Sequence, residues 1–524
     1  MPRVLVADPI AEAGLSRLRN HADVDVELSQ SPAALIARIP DYDALIVRSE
    51  TRVDAAVIKA GSRLKVIGRA GAGVDNIDVP AATRAGILVV NAPSGNTIAA
   101  AEHTMAMMLA LARHLPQADQ AVKAGRWERS RFLGNELKDK VLGVVGLGSI
   151  GREVAHRAQA FGMKVIASDP MLSEERAAQL NVTLMPFERL MAEADLVTLH
   201  VPLTKETHHL VDARALAAAK PGVRIINVAR GGIVDESALW NALRDGHVAA
   251  AALDVFEQEP PGENPLLSLP QVIVTPHLGA STEEAQISVA LEIADQVVAV
   301  LEGGHPRFSL NAPVALPEAM AFLRPFIPVA EGIGHFYAQV GRQPTTRLQV
   351  DYAGEIADYD CSVLTAALLT AFLSRFSAER VNPVNARAVA VAAGITVVEQ
   401  RGARASEFAN LISLQAVSDH GTSRVGGTLL LNEPHIVTFN DFRIDLVPQG
   451  TFLMSWHADR PGIIGAIGTL LGQKNINIAS MQVGRDRPRG DAVMIVSVDD
   501  PVPESILADI RRIPGMADVL SVTL

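Results

Sequence analysis

Short apolar runs rich in β-branched residues alternate with longer helical patterns along the first 300 residues of the chain. In the first part of this region the pattern predicts four strands, namely Val4–Ala7, Ala44–Val47, Leu64–Ile67 and Ile87–Val90. Segments rich in Ala and Leu, with helical spacing, lie between them. Such alternation is typical of a parallel sheet whose strands are joined by right-handed helical crossovers.

A second unit of the same kind follows a long apolar helix predicted from Thr97 to about Arg113. Its predicted strands are Val141–Val145, Lys164–Ser168, Leu196–His200, Arg224–Val228, Ala250–Leu253 and Val272–Thr275. The first 300 residues therefore predict an α/β architecture of two doubly wound parallel-sheet domains, of Rossmann or flavodoxin-like type.

A proline-rich stretch between about 305 and 320 marks a predicted domain boundary. Residues 315–450 then predict a mixed α+β region in which no catalytic motif is recognisable. The last segment, 451–524, predicts a small α+β module with the elements Phe452–Trp456 (strand), Ile463–Leu471 (helix), Ile476–Val483 and Ala492–Val498 (strands), then a further helix and strand.

The chemistry begins with a glycine-rich loop, Gly146-Leu147-Gly148-Ser149-Ile150-Gly151, placed between a predicted strand and a predicted helix. Gly146 permits the tight turn, Gly148 lets the backbone approach a pyrophosphate at the helix N-terminus, and Gly151 allows close helix–strand packing. Asp169 closes the next strand, where a carboxylate accepts hydrogen bonds from ribose hydroxyls and repels a 2′-phosphate. The spacing predicts a dinucleotide site that prefers NAD to NADP.

Four further polar residues follow strands of the second unit, at the edge where an open parallel sheet forms its ligand crevice. These residues are Arg230, Asp254, Glu259 and His277. Histidine suits the removal of a hydroxyl proton near neutral pH, and a carboxylate such as Glu259 can fix its tautomer. Arg230 can hold a substrate carboxylate with its forked donors. Any one of these at a strand end is more often structural, but together beside the glycine loop they predict hydride transfer from a secondary alcohol.

Composition excludes several other classes of protein. The chain has 524 residues, enough for three or four domains, and a formal net charge of −11, which disfavours nucleic-acid binding. A single cysteine, Cys361, excludes an intrachain disulfide and disfavours a structural zinc site, so no metal site is predicted. We find neither a secretion signal nor a membrane-spanning run and expect a cytoplasmic protein.

The strings GLGSIGREVA, NVARGGIVDESAL, ALDVFEQEPP and TPHLGAST resemble the signature blocks of the D-2-hydroxyacid dehydrogenases and, within them, of the D-3-phosphoglycerate dehydrogenases. The resemblance implies NAD-dependent oxidation of 3-phospho-D-glycerate to 3-phosphohydroxypyruvate, the first step of L-serine biosynthesis. It assigns His277 as general acid/base, Glu259 as its partner and Arg230 to the substrate carboxylate. The implied NAD-binding set is Gly146, Gly148, Ser149, Ile150, Gly151, Asp169, Val228, Arg230, Asp254, His277 and Gly279, with Asp254 on the nicotinamide carboxamide.

The same resemblance implies a substrate domain of residues 1–98 plus 284–305, an NAD-binding domain of 99–283 and a hinge that closes on the substrate. The implied substrate residues are Arg48, Ser49, Arg69, Gly73, Asn96, Arg129, Arg230 and His277, with Arg129 reaching the phosphate from a neighbouring subunit. A phosphorylated acid needs cations beyond Arg230, and Arg48 and Arg69 supply candidates. The family pattern favours a homotetramer.

The C-terminal module resembles an ACT domain, a ligand-sensing fold for which the resemblance gives the order ββαββα. His457, Asp459 and Asn477 match the positions that hold serine in serine-sensitive members, but Asp459 departs from the family's asparagine and cannot donate to a carboxylate. Serine feedback and a purely dimerising module both stay open. Two other functions stay open as well: another 2-hydroxyacid reductase of this fold, and an NAD-sensing protein like the transcriptional corepressors.

Overall fold

The computed structural model describes residues 1–315, 317–341, 343–377, 380–403, 407–419 and 421–524 of the chain. Within these ranges the strands form four sheets, with five, seven, six and four strands in chain order. The first two sheets are entirely parallel, as the alternation of strand and helix patterns predicts.

The first sheet has the order β2-β1-β3-β4-β5. Its strands are β1 (Arg3–Val6), β2 (Asp23–Val26), β3 (Ala44–Val47), β4 (Val66–Arg69) and β5 (Leu88–Asn91), and its helices are α1 (Glu12–Arg19), α2 (Pro32–Arg38), α3 (Ala55–Ala60) and α4 (Val79–Arg84). The edge strand β2 was not predicted, because its sequence Asp-Val-Asp-Val alternates charge with a small apolar residue and none of its four residues is fully buried.

The second sheet has the order β12-β11-β10-β9-β6-β7-β8. From β6 the chain adds β7 and β8 on one side and then β9 to β12 on the other, as in a dinucleotide-binding fold. Its strands are β6 (Val141–Val145), β7 (Lys164–Ser168), β8 (Thr183–Leu184), β9 (Leu196–Leu199), β10 (Val223–Asn227), β11 (Val248–Leu253) and β12 (Val272–Val274). Its helices are α5 (Thr97–Arg113), α6 (Leu115–Lys123), α7 (Ser149–Ala160), α8 (Glu174–Gln179), α9 (Phe187–Glu193), α10 (Ala213–Ala218) and α11 (Glu236–Arg244).

Helix α12 (Glu283–Leu301) follows the second sheet in sequence but packs against the first. Val289, Ile293 and Val297 of α12 lie in the same buried cluster as the residues of β1, β3, β4 and β5. Helix α1 approaches α12 so closely at Gly14 that an added Cβ would lie 2.7 Å from the Ala290 carbonyl oxygen. The chain thus crosses between the two sheets twice, once before α5 and once before α12.

The third sheet has the order β14-β13-β15-β16-β17-β18 and is antiparallel except for the β13–β14 pair. Its elements are α13 (Pro317–Leu323), α14 (Ile327–Val340), β13 (Arg347–Gly354), α15 (Ser362–Leu373), α16 (Ala386–Ala392), β14 (Thr396–Ala403), β15 (Asn410–Ser418), β16 (Gly421–Leu430), β17 (Glu433–Phe439) and β18 (Phe442–Leu446). Helices α14 and α15 pack on each other and supply much of the buried cluster under this sheet. Cys361 is buried there, and burial raises the pKa of its thiol to about 12.

The fourth sheet is antiparallel, with the order β20-β21-β19-β22. Its elements are β19 (Thr451–Ala458), α17 (Ile463–Gln473), β20 (Ile478–Arg485), β21 (Asp491–Val498), α18 (Glu504–Arg511) and β22 (Met516–Thr523). The order is therefore βαββαβ; the apolar pattern of this segment predicts it, and the order ββαββα was wrong. No helix of the described residues is long and apolar enough to cross a membrane.

Candidate active site

The glycine-rich loop connects β6 to α7 and has the tight geometry expected of it. Gly146 adopts φ +88°, and a Cβ there would lie 2.6 Å from the His200 carbonyl oxygen. A Cβ on Gly151 would lie 2.1 Å from the carbonyl oxygen of Gly146, so neither position accepts a larger residue without movement. A Cβ on Gly148, in contrast, would have no atom within 4 Å, which leaves open space directly in front of the helix.

Helix α7 begins at Ser149 with no side-chain cap, so the backbone N–H groups of its first turn point unpaired toward that space. Asp169, at the end of β7, accepts hydrogen bonds from the backbone N–H of Leu147 (2.8 Å) and of Met171 (2.9 Å). These bonds fix its carboxylate beside the loop. Free N–H donors at a helix N-terminus suit a pyrophosphate and a fixed carboxylate suits a ribose, so the residues present fit a dinucleotide such as NAD.

Asp254 follows β11 and is fully buried. Its Oδ1 accepts from the Leu278 N–H at 2.7 Å and from the Thr275 hydroxyl at 2.6 Å, and its Oδ2 accepts from the Gly279 N–H at 2.9 Å. Burial alone would raise the pKa of this carboxyl, but these hydrogen bonds and a contact with His103 outweigh burial and lower it. Asp254 is therefore an ionised carboxylate that fixes the loop from Thr275 to Gly279 at the sheet edge.

His277 lies in that loop in the left-handed backbone region, at φ +54°. Its backbone N–H donates to the Asp254 carbonyl at 2.9 Å, which holds the unusual conformation in place. Its Nδ1 is 2.8 Å from Oε2 of Glu259, whose Oε1 accepts from the Phe256 N–H at 3.1 Å. Burial raises the pKa of the Glu259 carboxyl, but the bond and charge of His277 lower it further, to a net value below the ordinary one. The Nε2 of His277 is left to face the crevice.

Arg230 follows β10 and crosses the crevice to the first sheet. Its Nη1 donates to the Ala229 carbonyl at 2.7 Å, and its Nε donates to Oδ2 of Asp75 at 3.2 Å. A Cβ on Gly73 would lie 2.1 Å from its Nη2, so only glycine admits the guanidinium there. Arg230 and the loop of residues 71–76 thus meet between the two sheets.

Arg69 ends β4 beside this contact. Its Nε is buried and has no hydrogen-bond partner, and its Nη1 lies 1.7 Å from where a Cβ on Gly71 would be. Burial, together with the positive charges of Arg230 and Arg48, lowers the pKa of Arg69 to about 10. The carboxylates of Asp75 and Asp8 act in the opposite direction but do not offset this lowering.

The other predicted substrate residues are Arg48, Ser49, Asn96 and Arg129, and of these Arg48 is near enough to Arg69 to affect its pKa. The Arg48 backbone N–H bonds to buried Asp8, its Nη1 donates to the Pro9 carbonyl at 3.3 Å, and Ser49 next to it is exposed. Asn96 precedes α5, and its buried Oδ1 has no partner. Arg129 lies on an exposed 3-10 turn (Arg129–Phe132) and has no ion pair among the described residues.

Of the three predicted effector residues, His457 and Asp459 lie at one end of the fourth sheet and Asn477, next to Ile478, lies at the other, so the structure does not bring all three together within one chain. His457 is 5% exposed, and its Nε2 is buried without a partner. Asp459 accepts from the Arg489 N–H at 2.9 Å and from Arg485 at 3.3 Å, and these contacts lower its pKa. Asn477 donates to Asp499 at 2.6 Å. The Nδ1 of His457 is 3.0 Å from the Ala458 carbonyl oxygen, so all three side chains already have a hydrogen-bond partner within the chain.

Sequence reasoning missed several residues that the structure brings to the site. His103 of α5 contacts Asp254 and Thr275, Asp75 pairs with Arg230, and Asp8 anchors the Arg48 loop. His103 lies in an apolar helical pattern and Thr275 within a predicted strand, so neither gave a signal of its own. Asp75 lies inside a loop that was singled out only for its glycines and Arg69.

Three family models match the chain. Residues 105–279 match the NAD-binding domain of the D-isomer specific 2-hydroxyacid dehydrogenases, residues 322–440 the D-3-phosphoglycerate dehydrogenase intervening domain, and residues 452–515 the ACT domain.

Relatives match over the whole length of the chain. A D-3-phosphoglycerate dehydrogenase of Synechocystis sp. is 49% identical over 100% of this chain and 95% of its own length. One of Archaeoglobus fulgidus is 44% identical over 100% of both chains. Among solved structures, a glyoxylate reductase from Paecilomyes thermophila is 32% identical with a TM-score of 0.55, over 59% of this chain and 98% of its own.

Proposed function

The chain belongs to the D-3-phosphoglycerate dehydrogenases, and from that premise we propose how its residues carry out the NAD-dependent oxidation of 3-phospho-D-glycerate to 3-phosphohydroxypyruvate. This reaction is the first step of L-serine biosynthesis. Two observations carry the proposal: the concentration of Arg69, Arg48 and Arg230, and the contact between His277 and Glu259.

His277 is the general base. Its Nε2 takes the proton of the substrate 2-hydroxyl, and Glu259 on Nδ1 fixes the tautomer and stabilises the imidazolium that results. A bound NAD would supply the acceptor for the hydride that leaves C2. In the reverse direction the same imidazolium returns its proton to the C2 oxygen.

Arg230 binds the substrate carboxylate and polarises the C2 oxygen. In the present contact its Nε pairs with Asp75 at 3.2 Å, and a substrate carboxylate offers the same guanidinium a closer, two-oxygen acceptor. Gly73 leaves room for both, because a side chain there would occupy the position of the guanidinium.

The phosphate of the substrate binds at Arg69 and Arg48, with Ser49 and Asn96 as further polar contacts. A buried guanidinium without a partner is costly, and a phosphate dianion supplies the missing acceptor. Arg129 is exposed and unpaired in the part of the chain that the structure describes, so it is free to reach a phosphate in a neighbouring subunit. This role requires a homo-oligomer, and we propose a homotetramer as in the family pattern.

The residues that would hold the cofactor lie along the carboxyl edge of the second sheet. The loop residues Gly146, Gly148, Ser149, Ile150 and Gly151 hold the pyrophosphate, and Asp169 holds the adenosine ribose. Asp254, Val228 and Gly279 would hold the nicotinamide, with Asp254 as acceptor for its carboxamide. A Cβ on Gly279 would lie 3.1 Å from Val228 and 3.3 Å from Asp254.

We divide the chain into a substrate domain (1–98 plus 284–305), an NAD-binding domain (99–283), an intervening domain (315–450) and an ACT domain (451–524). The packing of α12 on the first sheet supports the first division. The crossings before α5 and before α12 form a hinge, and closure over the substrate excludes water.

The ACT domain provides feedback by L-serine at His457, Asp459 and Asn477. The buried, unpartnered Nε2 of His457 supports an effector there, since a ligand would supply its missing partner. Asp459 can accept from the ammonium group of serine, provided that its bonds to Arg485 and Arg489 give way. The single, unpaired cysteine supports a cytoplasmic location.

The nearest alternative is a reductase of unphosphorylated 2-hydroxy acids, since a glyoxylate reductase shares the fold over 59% of the chain. The arginines around residue 69 favour a phosphorylated substrate instead. A corepressor-like NAD sensor would need no proton acceptor, and the His277–Glu259 pair disfavours it.

The direct test is NADH formation by the purified full chain with 3-phosphoglycerate at alkaline pH, for the wild type and His277→Gln. The proposal expects robust turnover by the wild type and loss of most of it in the variant, with NADH affinity nearly unchanged. Turnover by His277→Gln equal to wild type would reject the assigned base, and no turnover by the wild type would reject the function.

A further inference from the structure

Helix α5 contributes one polar contact to the nicotinamide end of the crevice that neither the sequence motifs nor the family models assign. His103, near the middle of this helix, has a largely buried side chain with 19% of its surface exposed. Its Nε2 lies 3.3 Å from Oδ1 of Asp254 and 3.2 Å from Oγ1 of Thr275.

The protonation of this contact follows from its partners. An ionised carboxylate only accepts hydrogen bonds, and the Thr275 hydroxyl hydrogen is used toward the same Oδ1 at 2.6 Å. A lone pair on Nε2 would therefore face two other lone pairs. Nε2 of His103 must carry the hydrogen, which it shares between the carboxylate and the Thr275 oxygen.

The two carboxylate oxygens of Asp254 differ in how many hydrogen bonds they can still accept. A carboxylate offers about four acceptor positions. Three donors converge on Oδ1, namely His103, Thr275 and the Leu278 N–H, whereas Oδ2 receives only the Gly279 N–H. Oδ2 thus keeps an unused acceptor position, and the donors on Oδ1 prevent the carboxylate from rotating about its own axis.

We propose that His103 is a positioning residue for the dehydrogenase reaction: its Nε2–H locks the Asp254 carboxylate so that the free acceptor on Oδ2 is presented to the carboxamide N–H of the nicotinamide. The inference rests on the proposed function, because it assigns the carboxamide to Asp254. His103 itself touches neither the substrate nor the cofactor.

The position of Asp254 also affects the general base, because the Asp254 carbonyl accepts a hydrogen bond from the backbone N–H of His277 at 2.9 Å. His103 links Asp254 to α5, and the Asn227 carbonyl links it to β10 by accepting the Asp254 N–H at 2.9 Å. Helix α5 therefore helps to set the orientation of the nicotinamide ring relative to His277.

The test compares His103→Ala, which removes the donor, with His103→Gln, whose terminal amide N–H lies at a similar distance from the backbone as Nε2. A control variant, His156→Ala, removes an exposed histidine of α7 that contacts neither Asp254 nor Thr275. The dissociation constant of NADH is measured by fluorescence titration of the full chain, and KM for NAD and kcat by steady-state assay. Thermal unfolding reports on folding.

We expect His103→Ala to raise the NADH dissociation constant and KM for NAD by about tenfold, as for the loss of one hydrogen bond to a charged group. His103→Gln restores them to within about twofold of wild type, and His156→Ala leaves them unchanged. The analogue with a 3-acetylpyridine ring lacks the carboxamide N–H, so its affinity should be the same in wild type and His103→Ala.

Equal losses for NADH and the acetylpyridine analogue in His103→Ala would overturn the proposal, since they indicate a general loosening of the site. So would unchanged NADH affinity in His103→Ala, or failure of His103→Gln to restore it while the protein unfolds at the wild-type temperature. NADH binding is measurable without any turnover of 3-phosphoglycerate, so failure of this proposal and failure of the proposed function give different results.

Discussion

Replacing Arg69 should raise the stability of the unliganded protein and lower its activity toward 3-phosphoglycerate. The Arg69 guanidinium lacks a partner on Nε and lies near two other arginines, and its pKa is lowered from 12.5 to about 10. A fall of about 2.5 pH units, at about 1.36 kcal/mol each, corresponds to an upper bound of about 3 kcal/mol against the charged form in the unliganded protein. Because the side chain retains some exposure, we expect about 1–2 kcal/mol after allowance for solvent screening.

Arg69→Met keeps most of the aliphatic stem and removes the charge, so it should stabilise the unliganded protein. The expected rise in the unfolding temperature is about 2–8 °C, from about 2–4 °C per kcal/mol. The same variant should raise KM for 3-phosphoglycerate by about a hundredfold, because the phosphate loses a charged hydrogen-bond donor. Differential scanning calorimetry without substrate and steady-state kinetics measure the two effects.

The control is Arg214→Met, which removes an exposed arginine of α10 that has no ion pair among the described residues. It should change neither the unfolding temperature nor KM. The reasoning fails if Arg69→Met unfolds at a lower temperature than wild type, because Arg69 would then be satisfied in the unliganded protein. It also fails if KM for 3-phosphoglycerate is unchanged.

Further predictions concern the base, the pH dependence and the effector. Glu259→Gln should lower kcat about tenfold with little change in KM for NAD. The carboxylate charge 2.8 Å from Nδ1 of His277 stabilises the imidazolium by about 1.5 kcal/mol at the dielectric constant of water. That constant is appropriate because the His277 and Glu259 side chains are 47% and 38% exposed. Because the pKa of Arg69 is about 10, KM for 3-phosphoglycerate should rise as the pH increases through 10, whereas KM for NAD should not follow it. Millimolar L-serine should lower the rate of the wild type. Asp459→Asn should reduce the half-inhibitory concentration of serine about fivefold, because an amide donates to the serine carboxylate and no longer pairs with Arg485. Equal inhibition of the two proteins would show that Asp459 does not belong to the effector site.

Much of the fold follows from local pattern. Parallel strands buried on both faces form continuous apolar runs, so β3 (Ala44–Val47) and β6 (Val141–Val145) have the predicted bounds. Helix α5 also has the predicted bounds, and the family models confirm the fold class. The edge strands β2 and β8 were missed, because each is short and neither contains a fully buried residue.

The site was predictable only where chemistry falls in a sequence block. The Glu259–His277 contact at 2.8 Å and the hub role of Asp254 agree with residues singled out from the sequence. The contacts of His103 with Asp254 and of Asp75 with Arg230 join residues that are 151 and 155 positions apart in the sequence. No local pattern encodes such pairs, because they depend on how the crossover helix and the two sheets pack.

The central claim is that Arg69, whose buried Nε has no hydrogen-bond partner, and the neighbouring Arg48 and Arg230 together select a phosphorylated 2-hydroxy acid. The measurement that tests it most directly is kcat/KM of the wild-type chain for 3-phospho-D-glycerate against D-glycerate, which differs only by the phosphate. The account predicts a preference for the phosphorylated acid of at least about a thousandfold, as expected for loss of two or more charged contacts. Equal kcat/KM values, or oxidation of D-glycerate alone, would contradict it and assign the chain to the reductases of unphosphorylated acids.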